Sequence, residues 1–99
     1  MYQIVICDDE NSSIIGLKDC LTRYADETDK EFIFYEFHDG TELIQNYRID
    51  FDLIFMDIKM EKLNGLETAR EIRKMDDAVG LFFLTSLPQY VWQGYEYGA

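Results

Sequence analysis

The chain is short of positive charge: 9 lysines and arginines stand against 20 acidic residues, a net charge of −11. Nonspecific nucleic-acid binding relies on basic patches that neutralise phosphates, so any DNA function would have to reside in another domain. Long apolar stretches are missing too. Nothing approaches the ~18 consecutive apolar residues of a membrane helix, and no basic-then-apolar signal opens the chain. A cytoplasmic protein with no membrane partner is expected. The two cysteines, Cys7 and Cys20, have neither CxxC nor metal-ligand spacing, and are expected to be buried reduced thiols on a strand and a helix. The lone His38 has no partner histidine or cysteine and reads as a turn residue. Repeats and low-complexity tracts are absent. What remains is one domain of 99 residues, 47% hydrophobic and able to build a core.

The chain is organised around Phe51–Gly65, FDLIFMDIKMEKLNG. Leu53-Ile54-Phe55-Met56 is an unbroken apolar run, which predicts a strand buried on both faces. Asp57 follows it directly. Strands of this kind belong to parallel sheets, whose carboxyl ends are where open α/β folds bind ligands. A second cluster has the same form: Tyr2–Cys7 predicts a buried strand, and Asp8-Asp9-Glu10 ends it. If the two strands are neighbours, Asp8, Asp9 and Asp57 converge. Uncompensated carboxylates so close repel and raise one another's pKa. A hard divalent cation relieves them, and Mg²⁺ suits a few carboxylates, a backbone carbonyl and waters.

Between and beyond these strands the pattern alternates. Asn11-Ser12-Ser13 offers capping side chains for a helix over about 11–26, with Ile14, Leu17, Leu21 and Tyr24 at helical spacing. Phe32–Phe37 is aromatic and β-branched, a second strand. Thr41–Tyr47 predicts a short helix carrying Leu43, Ile44 and Tyr47. After a loop over Ile58–Asn64, a helix over Gly65–Met75 turns Leu66, Ala69 and Ile72 inward, and Asp76-Asp77 breaks it. Val79–Thr85 is a fourth buried strand, and Pro88 suits the first turn of a helix over Gln89–Tyr97. Strands and helices in alternation mean right-handed βαβ units, hence an α/β fold with a doubly wound parallel sheet. The order 2-1-3-4 sets the first and third strands side by side at the topological switch point.

Paired acids after the first strand, a lone Asp after the third, a glycine eight residues on and Thr85 after the fourth together resemble the receiver domain of two-component response regulators. The resemblance runs over the whole chain and is carried by CDDE at 7–10, MDIKM at 56–60 with Gly65, and FFLTS at 82–86. The closing PQYVWQGYEYGA looks like receivers coupled to LytTR-type DNA-binding domains. The resemblance implies a flavodoxin-like fold and a phosphoryl group passing from a sensor histidine kinase to Asp57. It also implies that Mg²⁺ is held by Asp9, Asp57 and the backbone carbonyl of Lys59, with Asp8 reaching it through water, and that the Thr85 hydroxyl bonds a phosphoryl oxygen. The output would be transcription regulation through a DNA-binding domain outside these 99 residues.

The sequence departs from the family pattern in two places. Glu61 stands where a proline commonly follows the methionine matched by Met60. The family's fifth strand and helix, which supply a lysine and an aromatic switch residue, have no counterpart: the sequence ends before both, and Lys59 is not a positional match for that lysine. Tyr90, Trp92, Tyr95 and Tyr97 precede the switch position. A missing fifth βα unit would leave Val79–Thr85 as a sheet edge and residues among Ile4, Ile6, Leu53 and Phe55 partly exposed, from which a homo-oligomer is expected. The receiver reading is not that of an enzyme beyond catalysis of its own phosphorylation and dephosphorylation. Two other readings compete. A Mg²⁺-dependent phosphohydrolase would use an aspartyl phosphate, but such enzymes carry a DxD pattern after their first strand. An unphosphorylated pseudo-receiver would be an interaction module only. Mg²⁺ affinity and acetyl-phosphate labelling of one sample separate the three.

Overall fold

A computed structural model describes residues 1–58 and 64–84. Lys59, Thr85 and the predicted helix over Gln89–Tyr97, with its four aromatic residues, lie outside the described residues. Within them the chain runs β1 (Tyr2–Cys7), α1 (Asn11–Glu27), β2 (Phe32–Phe37), α2 (Gly40–Gln45), β3 (Leu53–Asp57), α3 (Gly65–Met75) and β4 (Gly80–Leu84). All the strand pairs are parallel. The order is β2-β1-β3-β4, as the sequence pattern predicts.

Two apolar faces hold the sheet. Alternation along the strands turns Val5, Cys7, Ile54, Met56 and Leu81 to one side, where they form a buried cluster with Leu43 of α2 and Ala69 and Ile72 of α3. Phe51 plugs the end of this layer, its ring against Tyr35 (5.1 Å between centroids) and Tyr47 (5.4 Å). The opposite face carries Ile4 and Ile6, and α1 supplies Ile14 and Ala25 among the buried residues. Ile4 and Ile6 are fully buried, whereas Leu53 and Phe55 are half-buried, so the expected exposure is confined to β3. The Phe55 ring stacks on that of Phe82, which is 43% exposed.

Several local expectations need correction. The capping residues assigned to α1 do not cap it: Glu10 is the N-cap and makes no side-chain bond. Tyr24 is exposed, because α1 reaches the sheet edge there and the ring lies over Phe32 of the edge strand with its outer side in water. Cys20 is exposed on α1, against the expectation of burial, while Cys7 is buried; neither forms a disulfide. The second helix ends at Gln45 rather than Tyr47. Asn46 closes it with a side-chain N–H donated to the Glu42 carbonyl at 2.8 Å.

Candidate acidic site at the carboxyl ends of the strands

The register brings the acids together. Cys7 and Met56 are the last partners matched between β1 and β3. The next residue along each strand is an aspartate, so Asp8 and Asp57 stand side by side at the carboxyl end of the sheet. Asp8, Asp9 and Asp57 each offer a carboxylate oxygen within 4.8 Å of the others. Among the described residues no other group of His, Cys, Asp and Glu gathers in this way. Asp8 is buried, Asp57 intermediate and Asp9 exposed.

Local bonding fixes the loop that follows β1. The Asp8 N–H donates to the Phe37 carbonyl (3.0 Å), extending the β1–β2 ladder one step. Asp8 Oδ1 accepts the Glu10 N–H at 2.9 Å, an Asx-type turn that lifts the chain into α1. Burial raises the Asp8 carboxyl pKa, with Asp9 and Glu10 adding to the rise and the Glu10 N–H opposing it. Burial together with Asp39 and Asp8 pushes the Cys7 thiol up to about 12, so it stays protonated and packs as an apolar group.

Gly65 explains why a glycine stands eight residues beyond Asp57. A Cβ there would collide with the Asp57 carbonyl oxygen and press on Ile58 Cα. The Gly65 N–H donates to the Ile58 carbonyl at 2.9 Å, so the start of α3 is drawn directly onto the end of β3. Asn64 caps α3 by accepting the Glu67 N–H at 2.9 Å, and its own side-chain N–H donates to Glu67 Oε1 at the same distance. The glycine is therefore a close-approach residue that seats α3 against the backbone of Asp57.

Two groups escaped the sequence pattern, His38 after β2 and Asp76 at the far end of α3. His38, assigned only to a turn, has Nε2 3.0 Å from Asn11 Oδ1 and Nδ1 3.8 Å from Glu42 Oε1. Asp76, assigned as a helix breaker, is buried and accepts the Tyr47 hydroxyl at 2.6 Å and the Ala78 N–H at 3.0 Å. Burial opposes its charge, but the Tyr47 hydroxyl, the Ala78 and Val79 amides and Arg73 hold its pKa below the usual carboxylate range. No periodic signal marks a buried acid whose partner lies 29 residues away.

The donor set suits Mg²⁺. It is all oxygen, it concentrates negative charge, and one of its members is a buried acid with a raised pKa. Two direct ligands of one Mg²⁺, at about 2.1 Å each, lie at most about 4.2 Å apart. A spread of up to 4.8 Å therefore accommodates two direct carboxylates and a third through water.

Residues 4–99 match the response regulator receiver domain family. Among curated proteins, the chain is 27% identical to the chemotaxis protein CheY of Thermotoga maritima over 88 residues, covering 88% of this chain and 69% of that one. It is 39% identical over 49 residues to a CpxR homolog of Haemophilus influenzae, a transcriptional regulatory protein; this match covers 50% of this chain and 21% of that protein. The response regulator TrrA of Thermotoga maritima, solved in complex with Mg²⁺–BeF, superposes with a TM-score of 0.82 at 27% identity, over 100% of this chain and 82% of that one. CheY in the CheX–CheY–BeF3–Mg²⁺ complex of Borrelia burgdorferi shares the fold, with a TM-score of 0.81 at 22% identity over 99% and 73% of the two chains.

Proposed function

Because this chain belongs to the response regulator receiver domain family, a family of phosphoryl-accepting signalling switches, we propose that Asp57 is its acceptor and that Asp8 and Asp9 complete a Mg²⁺ site beside it. The observation that carries this reading is the convergence of the three carboxylates, within 4.8 Å, at the ends of adjacent parallel strands. Asp9 and Asp57 are the direct carboxylate ligands and Asp8 acts through water. The Lys59 carbonyl and the Thr85 hydroxyl are assigned by family resemblance, as the third direct ligand and a phosphoryl contact respectively.

The chemistry follows from position. An Asp57 carboxylate oxygen attacks the phosphorus of a phosphohistidine on a sensor kinase. The P–N bond breaks, the imidazole nitrogen keeps the electron pair, and an acyl phosphate remains on Asp57. Bound Mg²⁺ would supply neutralising charge at the transferred oxygens. The chain's own task is to hold the nucleophile, and β3 and the close seating of α3 do so; phosphoryl transfer asks for little else.

The partner is a sensor histidine kinase and the compartment the cytoplasm. Among the described residues no helix is long and apolar enough to cross a membrane. The downstream role is transcription control through a LytTR-type output domain, and the half-buried Phe55 and exposed Phe82 on the α1 side of the sheet support self-association. Incubation with acetyl phosphate and Mg²⁺, followed by mass spectrometry, tests the central assignment. Hydroxylamine-labile phosphate on Asp57 is expected; phosphate on a serine, threonine or histidine instead would sink it.

A further inference from the structure

The loop that carries Asp9 is tied at both ends to two consecutive residues of the segment leaving β2. At its start, the Asp8 N–H is bonded to the Phe37 carbonyl. At its end, the Asn11 side-chain oxygen lies 3.0 Å from His38 Nε2. Asp9 and Glu10 span the gap between these ties. The second tie matters because α1 has no side-chain cap of its own. Asn11, its first residue, bonds across to His38 instead of back onto the helix.

His38 is itself braced. Its N–H donates to Glu42 Oε1 at 3.3 Å, and its Nδ1 lies 3.8 Å from the same oxygen. Glu42 is anchored in turn, since its N–H donates to Asp39 Oδ1 at 2.8 Å in the first turn of α2. The imidazole thus stands between an oxygen on α1 and an oxygen on α2, with Nε2–H donating to Asn11. It touches none of the three site carboxylates.

We propose that His38 is a positioning residue for the metal-binding loop: through Asn11 it fixes where the chain carries the Asp9 carboxylate. This rests on the Mg²⁺ reading above. A slack tie lets Asp9, the exposed member of the cluster, sample positions away from Asp8 and Asp57, and the cation then binds less tightly.

The test is Mg²⁺ titration of the 99-residue chain, followed by NMR amide shifts, with melting of the metal-free protein as a fold control. His38→Leu and Asn11→Ala should each weaken Mg²⁺ binding about two- to tenfold, the effect of one ordinary hydrogen bond. The double variant should be no worse than either single one, because both changes break the same contact. His38→Gln should recover most of the affinity, since its amide N–H can reach the same oxygen. A purely structural role would show the rescue and the non-additivity in melting alone and leave the Mg²⁺ affinity of the folded protein unchanged. Asp9→Ala tells the two levels apart. Binding lost there but unchanged in His38→Leu and Asn11→Ala overturns the positioning role alone. Binding retained in Asp9→Ala overturns the metal assignment and the positioning role with it.

Discussion

Asp8→Asn sets the needs of the fold against those of the metal. The Asp8 carboxyl is buried, with its pKa raised above the ordinary 3.8. An acid raised on folding costs stability: the folded state binds its proton more tightly, so stability falls as pH climbs from the unfolded value through the raised one. The full penalty is present once pH has passed the raised value. Asp8 and Asp9 are neighbours in the unfolded chain too, so folding adds chiefly the loss of water, the largest cause of the rise, and then the approach of Asp57. With oxygens up to 4.8 Å apart, one such pair costs about 0.9 kcal/mol in water and about 3.5 kcal/mol at an effective dielectric of 20. Asp57 is only partly buried and Asp9 is exposed, so screening favours the lower end. The sum with desolvation is about 1–2 kcal/mol.

Asparagine keeps the oxygen that accepts the Glu10 N–H, so the turn survives the change. In EDTA at pH 7, urea unfolding should show the variant more stable by about 1–2 kcal/mol. The gap should close as pH falls below the carboxylate range, where wild-type Asp8 is neutral in both states. In excess Mg²⁺ the wild type should gain more than the variant, because stabilisation grows as RT ln(1 + [L]/Kd) and the variant binds more weakly. A metal-free variant less stable than wild type at pH 7 would refute the repulsion argument.

Asp57→Asn should abolish labelling by acetyl phosphate and leave the melting curve cooperative; a label that persists moves the acceptor elsewhere. Gly65→Ala should unseat α3 from the end of β3, because the new Cβ meets the Asp57 carbonyl, an immovable backbone atom. Unfolding should show a loss of about 1–3 kcal/mol and labelling should slow with it, whereas a fully stable, normally labelled variant would show that the contact can relax. Tyr47→Phe should cost about 1.5–3 kcal/mol at pH 7 by removing a hydrogen bond to a charged acceptor. Asp76 titrates below its unfolded value, so its contribution is present above pH ~4 and lost as pH falls through the folded pKa. The deficit should therefore shrink in strong acid, and urea melts at pH 7 and pH ~2.5 check it.

The elements were legible because they follow from one-dimensional patterns. Apolar runs ending in acids mark strands buried on both sides, and helical spacing marks α3, where Ala69 and Ile72 are buried as expected. The sheet order followed from chain connectivity and placed Asp8, Asp9 and Asp57 together. Side-chain pairings across the fold were not legible. Asn11 and His38 lie 27 residues apart, and each alone has an ordinary local role, as a cap or in a turn. The Asp8 side chain takes the Glu10 N–H at the mouth of α1, and the Asn11 oxygen is directed to the histidine. Asp76 reads only as a helix breaker because nothing in its neighbourhood announces Tyr47. Tyr24 failed for a geometric reason, since helical spacing gives the face of α1 but not how far the helix overhangs the edge of the sheet; Cys20 failed because it lies off the face that Ile14 and Ala25 bury.

The two ends of β3 are held in different ways, and the difference bears on the site. At its start, Asp52 is locked by three bonds: its N–H to the Gln3 carbonyl at 2.9 Å, its Oδ2 from the Gln3 N–H at 2.7 Å, and its carbonyl from the Gly80 N–H at 3.0 Å. At its finish, the strand carries Asp57 into a group of like charges that folding forces together. The buried layer of Ile54 and Met56 under α2 and α3 must hold the strand in place against that repulsion. Stability is thus supplied by the core and partly given up at the carboxyl ends of the strands. A cation bound there would recover the loss, and metal affinity and fold stability would then be linked through the same three carboxylates. Substitutions in the core that leave the site untouched should weaken Mg²⁺ binding only when they let β3 or α3 shift. Those that merely lower overall stability should leave the affinity of the folded protein unchanged.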